Sequence, residues 1–310
     1  MKVFRGFAVA SAVLAFVIAV LGSWVRINDA GLTCPDWPLC NGRLVPALHG
    51  GIVLEWTHRL VAFVESFVIF GAIVTGLRMR KRIAGVTPAL LALACIFAIQ
   101  ISLGGATVLL ANSPLSVMLH WAMGMALLAT LTVLAVLATF GPTPSPQFAF
   151  GNRAFPALAL AAGCAFVTMC IGAYVSSSYA GLACATVPAC DGTLLGITSA
   201  QFVQMLHRLA AFAFAIVALI ATAIAWQTGD SRTRSFASLG ALLLLAQLAL
   251  GVGNVLWHLP IVLREAHAAN AGATFLAFVI AAALAGRDER PASFVTDERS
   301  RVAPRIVTNS

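Results

Sequence analysis

The stretch Glu55-Trp56-Thr57-His58-Arg59-Leu60-Val61-Ala62-Phe63 places a carboxylate and an imidazole three residues apart at the start of a long apolar run. A second stretch, Gln204-Met205-Leu206-His207-Arg208-Leu209-Ala210-Ala211-Phe212, repeats the pattern 149 residues later. Glutamine stands in the second copy where the first copy has glutamate. The pattern therefore indicates an internal repeat whose two copies differ in one chemically important residue.

The composition of the chain predicts a membrane protein. Of its 310 residues, 60% are hydrophobic and 10% are charged, and the mean hydropathy is +0.95. A soluble domain of this size cannot bury so much apolar surface. Eight apolar runs are long enough to cross a bilayer as helices. They cover roughly residues 7–25, 56–77, 88–110, 117–139, 154–175, 203–226, 235–256 and 265–286.

Basic residues set the predicted orientation of these helices. They are Lys2, Arg5, Arg78, Arg80, Lys81, Arg82, Arg153, Arg232, Arg234 and the tail residues Arg287, Arg290, Arg299, Arg301 and Arg305. On an eight-helix count all of them fall on one face, which is predicted to be cytoplasmic together with both termini. The net charge of +8 therefore reflects topology, and no nucleic-acid partner is expected.

Two offsets align the halves of the chain. Residues 31–42 match residues 181–192 at an offset of 150, and residues 100–104 match residues 247–251 at an offset of 147. The predicted domains are two four-helix halves, 1–140 and 151–290, a proline-containing linker, 141–150, and a cytoplasmic tail, 291–310. The predicted fold class is an all-α integral membrane protein whose eight transmembrane helices form two parallel-repeat four-helix bundles.

Each half carries two cysteines in its first outer loop, Cys34 and Cys40 in one and Cys184 and Cys190 in the other. The spacing is the same in both copies, and the loops lie on the oxidising side of the membrane, where disulfides persist. A metal site is less favoured, because neither loop has a histidine at ligand spacing. We therefore predict the disulfides Cys34–Cys40 and Cys184–Cys190, either of which could be structural or redox-active.

Four of the six histidines follow the repeat, and two do not. The recurring ones are His58, His120, His207 and His267, whereas His49 and His258 are taken as loop residues. The recurring rings are predicted to lie within one turn of the outer interface, so that each half offers two facing imidazoles. Facing imidazoles in a four-helix bundle can hold heme iron. The alternatives are interfacial histidines bonded to loops, and zinc or copper, which would want a third ligand.

Charged residues near the histidines are further candidates. Glu55 precedes His58 by one helical turn, which predicts acid–base chemistry in the first half that neutral Gln204 cannot supply in the second. Arg59 and Arg208 could pair with heme propionates or lie at the membrane interface. Glu65, seven residues after His58, is either a proton relay or a buried polar contact.

These residues resemble the heme A synthase family of membrane enzymes. The likeness is carried by Gly31-Leu32-Thr33-Cys34-Pro35-Asp36-Trp37-Pro38-Leu39-Cys40 followed by Glu55-x-x-His58-Arg59, and it extends over nearly the whole chain. The resemblance implies an oxidoreductase that converts the C8 methyl group of heme O to a formyl group, giving heme A for cytochrome oxidase. It implies His58 and His120 as substrate heme ligands, Glu55 as the catalytic carboxylate, and His207 and His267 as axial ligands of a heme b cofactor.

The resemblance also implies a location and partners. The protein is expected in the bacterial cytoplasmic (inner) membrane, surrounded by lipid, with heme O as substrate. Heme O synthase and an electron acceptor are candidate partners, and a homo-oligomer is left open. Two other functions compete. A b-type electron-transfer cytochrome with two bis-histidine hemes explains the histidines but not the Glu55/Gln204 difference, and a transporter would place its polar residues nearer the membrane midplane.

Overall fold

A computed structural model describes residues 1–83, 85–140 and 153–286, and within them the chain is helical. The helices are α1 (Lys2–Ile27), α2 (Gly50–Arg78), α3 (Val86–Leu109), α4 (Pro114–Phe140), α5 (Ala154–Ser177), α6 (Ser199–Thr228), α7 (Ser231–Leu256) and α8 (Ile261–Ala285), with a short 3-10 turn at Ala180–Leu182. All eight are long and apolar enough to cross a membrane, which confirms the predicted all-α membrane class. The predicted linker, 141–150, and tail, 291–310, lie outside the described residues.

Local sequence sets where several helices begin. Thr198 accepts a hydrogen bond from the main-chain N–H of Gln201, whose side chain returns to Thr198, so a capping box starts α6. Asp230 caps α7 by accepting from the N–H of Thr233. Pro114 occupies the first position of α4, where its missing N–H costs no hydrogen bond.

The outer ends of α2 and α6 extend further than hydropathy predicted. His58 lies eight residues after the first residue of α2, and His207 lies eight after that of α6. His120 and His267 each lie six residues after the starts of α4 and α8. At about 1.5 Å per residue, the rings are roughly 9–12 Å from the helix starts. The first turns of these helices project beyond the most apolar part of each run, so the helix starts do not mark the membrane interface, and the predicted depth of the rings stays a prediction.

Helices α1, α4, α5 and α8 form the middle of the protein. Helix α1 packs on α2, α4 and α8, while α5 packs on α4, α6 and α8. Helices α4 and α8 are the most buried spans, whereas α2, α3 and α6 expose most of their surface. The exposed residues of those three are largely Leu, Val, Ile and Phe, as expected of surfaces that face lipid.

Two outer loops, residues 28–49 and 178–198, cover one end of the helices and share a local structure. Disulfides join Cys34 to Cys40 and Cys184 to Cys190. Cys40 and Arg43 exchange two main-chain hydrogen bonds, as do Cys190 and Thr193 at the corresponding positions. All four disulfide cysteines are fully buried, so each loop closes over its own cross-link.

Candidate functional site

The structure brings the predicted histidine pairs together. The rings of His207 on α6 and His267 on α8 have centroids 6.5 Å apart and planes crossed at 74°. His120 on α4 lies close enough to His58 on α2 for the two rings to interact electrostatically. Within the described residues, no group of three or more His, Cys, Asp or Glu side chains could hold a metal ion. The arrangement therefore offers two-histidine sites, without the third ligand that zinc or copper would want.

Both histidines of the second half have a hydrogen-bond contact at Nδ1, whereas Nδ1 of neither first-half histidine has a partner among the described residues. Nδ1 of His207 lies 3.2 Å from the carbonyl oxygen of Thr168. Both ring nitrogens of His267 lie 3.2 Å from the amide nitrogen of Gln247. Nδ1 of His58 and Nδ1 of His120 are buried and have no hydrogen-bond partner among the described residues. The second pair is therefore held more firmly than the first.

A chain of polar contacts fixes the orientation of Gln247 beside His267. Asn270 donates from Nδ2 to the carbonyl of Leu243, at 2.9 Å, and to Oε1 of Gln247, at 2.8 Å. A main-chain carbonyl can only accept, so Nδ2 of Asn270 must face it and Oε1 of Gln247 must face Nδ2. The Gln247 amide NH₂ group is then the one directed at His267.

The first half lacks this chain of contacts. At the repeat offset of 147, Gln100 corresponds to Gln247, but Met123 stands where the second half has Asn270. Oε1 of Gln100 is buried and has no hydrogen-bond partner among the described residues. Nothing comparable to Asn270 therefore orients the amide beside His120.

Glu55 lies inside α2, buried beneath the first outer loop. Its Oε2 accepts from the main-chain N–H of Cys34, at 2.8 Å, and from the hydroxyl of Thr33, at 3.0 Å. Its Oε1 pairs with the guanidinium of Arg59 at 2.5 Å. Glu55 is only 4% exposed, so this carboxylate anchors the loop to the helix one turn before His58.

Gln204 anchors the second loop in a related way. Its Oε1 accepts from the N–H of Cys184, at 2.6 Å, and its Nε2 donates to the carbonyl of Gly181, at 2.7 Å. The residue that corresponds to Thr33 is Ala183, which has no hydroxyl. Both residues therefore hold the first cysteine of their loop, but only Glu55 brings a carboxylate and a hydroxyl donor together.

Arg59 and Arg208 hold the two outer loops by their carbonyl groups. Arg59 donates to the carbonyls of Cys34, Asp36 and Leu39 at 2.6–2.8 Å. Arg208 donates to the carbonyls of Cys184, Thr186, Pro188 and Ala189 at 2.6–3.3 Å. These contacts give both arginines a structural role in the loops. A propionate contact stays a prediction.

Asp36 closes the first loop on itself. Its carboxylate accepts from the N–H of Gly42, at 2.7 Å, and from that of Asn41, at 2.6 Å. These main-chain bonds, with that of Gly42 foremost, hold the pKa of Asp36 below its ordinary value. In the second loop Thr186 takes this place and accepts from the N–H of Asp191, at 2.9 Å.

Two further acidic residues lie in the helices. Glu65 is buried, and its Oε1 has no hydrogen-bond partner among the described residues. Its counterpart at the offset of 149 is Phe214, which packs on Phe278. Glu265, two residues before His267, points to α1, where Ser23 lies beside it, as expected of a residue on another face of α8. Neither carboxylate belongs to the contacts around the histidines described above.

The sequence reasoning missed Asn270, Thr33 and Asp36. A usable signal existed for Asn270, because an uncharged amide three residues after His267 in an apolar helix is costly unless it has a partner. Thr33 and Asp36 stand within the loop motif, but their contacts depend on how the loop folds over α2. Such contacts cannot be read from spacing.

The fold and the histidine sites define an all-helical, multi-pass membrane protein with two histidine pairs on neighbouring helices beneath disulfide-bonded loops. The model of the family described as cytochrome oxidase assembly protein (COX15-CtaA) matches residues 5–279. The chain belongs to this family, that of the heme A synthases, and is an oxidoreductase of heme A biosynthesis.

Individual relatives cover most of the chain. The heme A synthase of Shouchella clausii is 30% identical over 254 residues, which are 78% of this chain and 83% of that protein. The heme A synthase of Geobacillus thermodenitrificans is 28% identical over 301 residues, 93% of this chain and 94% of that protein. A protein named protoheme IX farnesyltransferase, from Haloarcula marismortui, is 32% identical over 124 residues, 40% of this chain and 26% of that protein.

Proposed function

We propose that this chain oxidises the C8 methyl group of heme O to a formyl group, producing heme A for cytochrome oxidase. The observation that carries the proposal is the facing pair His207 and His267, with centroids 6.5 Å apart, together with its counterpart His58 and His120. A metal–imidazole bond is about 2 Å long. Two such bonds, together with the distance from each ring nitrogen to its ring centroid, account for the 6.5 Å between the centroids. The residues present therefore fit a bis-histidine heme.

The two halves are proposed to have different roles. Residues 151–290 would hold heme b through His207 and His267, and the Thr168 carbonyl beside Nδ1 of His207 is the kind of acceptor that a metal-bound histidine has at its other nitrogen. Residues 1–140 would hold the substrate through His58 and His120, whose unpaired Nδ1 atoms suit a group that must enter and leave. When bound, the heme b supplies redox chemistry, and the protein supplies position, exclusion of water and proton transfer.

Glu55 is proposed to be the catalytic carboxylate, acting at Oε2. The Thr33 hydroxyl lies 3.0 Å from this oxygen and 2.9 Å from the carbonyl of Ala30, so its single hydrogen can turn from one acceptor to the other. That rotation would free Oε2 to take a proton, while Arg59 keeps Oε1 in place. The second half has neither the carboxylate nor the hydroxyl, which supports acid–base chemistry in the first half alone.

The location and partners follow the same proposal. Basic residues at the ends of α1, α2, α5 and α7 support a place in the bacterial cytoplasmic (inner) membrane with cytoplasmic termini. The similarity to part of a farnesyltransferase supports heme O synthase as a partner that delivers the substrate. An electron acceptor completes the oxidation.

The proposal is tested by extracting pigments from the wild type, Glu55→Gln and Glu65→Gln, each expressed with a source of heme O. Glutamine at position 55 copies Gln204, which holds its loop by the same main-chain N–H, so folding should survive. We expect heme A or its hydroxylated precursor from the wild type and Glu65→Gln, and unconverted heme O from Glu55→Gln. Conversion by Glu55→Gln would remove Glu55 from the reaction. Heme b alone from all three would instead indicate an electron-transfer cytochrome.

A further inference from the structure

Each of the four recurring histidines rests on a glycine of the preceding helix. The four pairs are Gly22 with His58, Gly104 with His120, Gly172 with His207, and Gly251 with His267. In that order, a Cβ atom on the glycine would lie 2.9, 3.2, 2.8 and 3.3 Å from the ring atom Cε1. Ordinary contact begins near 3.4 Å, so no larger residue fits at these positions without moving the ring.

The rings approach the glycines in one orientation. In all four pairs Cε1 is the nearest ring atom and Nδ1 is the next, while Nε2 is the most distant of the three. The ring thus meets the glycine through Cε1, and Nδ1 is the nearer nitrogen by 0.1 Å at Gly22 (3.5 against 3.6 Å) and by 0.4 Å at Gly172 (3.2 against 3.6 Å). Nε2, the other nitrogen able to bind a metal, is the farther of the two nitrogens in each pair, and in His267 it also lies 3.2 Å from the amide nitrogen of Gln247.

A main-chain carbonyl four residues before each glycine faces the ring. These carbonyls belong to Ile18, Gln100, Thr168 and Gln247. In a helix the carbonyl of residue i bonds the N–H of residue i+4, so a side chain at i+4 would cover it. Glycine leaves this oxygen open to a second donor. The contact reaches hydrogen-bond geometry at Thr168, 3.2 Å from Nδ1 of His207.

Close helix packing alone would not produce this arrangement. Gly71, Gly76, Gly105 and Gly240 also meet a neighbouring element closely, and each of them lies against an apolar side chain. The four glycines that meet histidine occur at repeated positions. Gly22 and Gly172 are 150 residues apart, and Gly104 and Gly251 are 147 residues apart. A glycine therefore stands opposite each proposed ligand histidine in both halves, which close packing of helices in general does not explain.

We propose that Gly22, Gly104, Gly172 and Gly251 are positioning residues, which aim Nε2 of each histidine by seating its Nδ1 edge on the main chain. This inference rests on the proposed heme ligation. A metal-binding histidine is usually oriented by an acceptor at its other nitrogen, and loss of such support costs about 10- to 100-fold in metal affinity. Alanine at a glycine position should cause a loss of that size.

The sharpest test compares two glycines of α5 by titrating purified apoprotein with heme b. Gly172→Ala would push the His207 ring by several tenths of an ångström, whereas Gly163 has no atom within 4 Å of the added Cβ. We expect Gly172→Ala to lose about 10- to 100-fold in heme affinity, with a smaller loss for Gly251→Ala. Gly163→Ala should bind like the wild type. On α1, Gly22→Ala should likewise bind heme more weakly than its control, Gly6→Ala.

A spectroscopic readout separates positioning from folding. Gly172→Ala should shift bound heme from a six-coordinate low-spin to a high-spin spectrum, and added imidazole should restore the low-spin form. Unchanged affinity and spectrum in Gly172→Ala would overturn the inference. So would unfolding of all four alanine variants while both controls fold, because the glycines would then serve helix packing. If His207→Ala and His267→Ala both kept the wild-type spectrum, the proposed heme ligation would fail instead.

Discussion

At the level of single residues, the two halves differ most in how they hold the histidine of their last helix. Asn270 orients Gln247 toward His267, whereas Met123 leaves Oε1 of Gln100 without a partner among the described residues. A polar network in a low-dielectric region stabilises the protein most when every polar group in it has a hydrogen-bond partner. A single substitution, Asn for Met, therefore separates a rigid histidine from a looser one.

Exchanging Asn270 and Met123 should exchange how firmly the histidine of each half's last helix is held. Asn270→Met leaves the Gln247 amide oxygen unpaired, which costs about 1–3 kcal/mol. We expect a lower thermal midpoint and faster binding of added imidazole or carbon monoxide at the second-half heme. Met123→Asn should give Gln100 a donor and stabilise the protein by about 0.5–1.5 kcal/mol. Calorimetry and stopped-flow absorption measure the two effects.

The control is Met125→Leu, a conservative change in the core of α4 two residues from Met123. It should leave ligand exchange as in the wild type. Equal exchange rates in the wild type and Asn270→Met would show that the network does not restrain His267.

At the level of elements, each outer loop is a disulfide-closed unit fastened to one helix. The loop 28–49 is held by Glu55 and Arg59 of α2, and the loop 178–198 by Gln204 and Arg208 of α6. The equivalent positions Glu55/Gln204 and Arg59/Arg208 thus secure the two loops by the same kind of contacts. The loops differ in how they close on themselves, because the first contains the carboxylate of Asp36 where the second contains the hydroxyl of Thr186.

Lowering the pH should destabilise the first loop more than the second. Because the folded loop lowers the pKa of Asp36 from 3.8, its carboxylate stabilises the loop at higher pH, and this stabilisation is lost as the pH falls through the lowered value. We expect reduction of the buried Cys34–Cys40 disulfide by a phosphine to accelerate below about pH 4. Mass spectrometry of alkylated peptides follows both disulfides at once.

The second loop and one variant serve as controls for this effect. Cys184–Cys190 should show a flatter pH profile, and Asp36→Thr, which copies Thr186, should flatten the profile of Cys34–Cys40. Identical pH profiles for the two disulfides in the wild type would contradict the assignment of the effect to Asp36.

At the level of the whole molecule, a cluster of residues joins α1 of the first half to α5 of the second. Arg26 donates to the carbonyls of Ser176 and Ser177, at 3.2 and 3.4 Å, and pairs with Asp29 at 3.0 Å. Its guanidinium lies 4.6 Å from the centroid of Tyr179, whose hydroxyl donates to Asp29. Asp29 and Tyr179 are equivalent residues of the repeat, 150 positions apart, so the contact joins matching points of the two halves.

Removing the contacts of Arg26 should weaken the packing of the first half against the second. Arg26→Gln loses the ion pair, the cation–π contact and most of the bonds to α5, which together are worth about 1–2 kcal/mol at a partly exposed position. We expect a lower thermal midpoint of the purified protein in detergent. Arg5→Gln, a charge removal at the opposite, exposed end of the same helix, is the matched control. Equal midpoints for these two variants would show that the junction contributes nothing to stability.

Much of this architecture was predictable from sequence, for identifiable reasons. Each span is apolar around its whole circumference because lipid is its solvent, so hydropathy alone predicted all eight helices. The repeat and the spacing of His58, His120, His207 and His267 placed the histidines on alternate helices that run in one direction. Hydropathy could not predict the outer ends of α2 and α6, because loop contacts stabilise the first turns of both helices and a capping box also stabilises that of α6.

The sequence by itself determined the helices, the membrane class, the equivalence of the halves and the Glu55/Gln204 difference, because each depends on residue type and spacing along one chain. The tertiary structure alone decided that Glu55 is buried under a loop, that Asn270 orients Gln247, and that four glycines seat the four histidines. These contacts join residues of different helices or loops. Their existence depends on distances of a few tenths of an ångström, which helix packing sets and linear spacing does not encode.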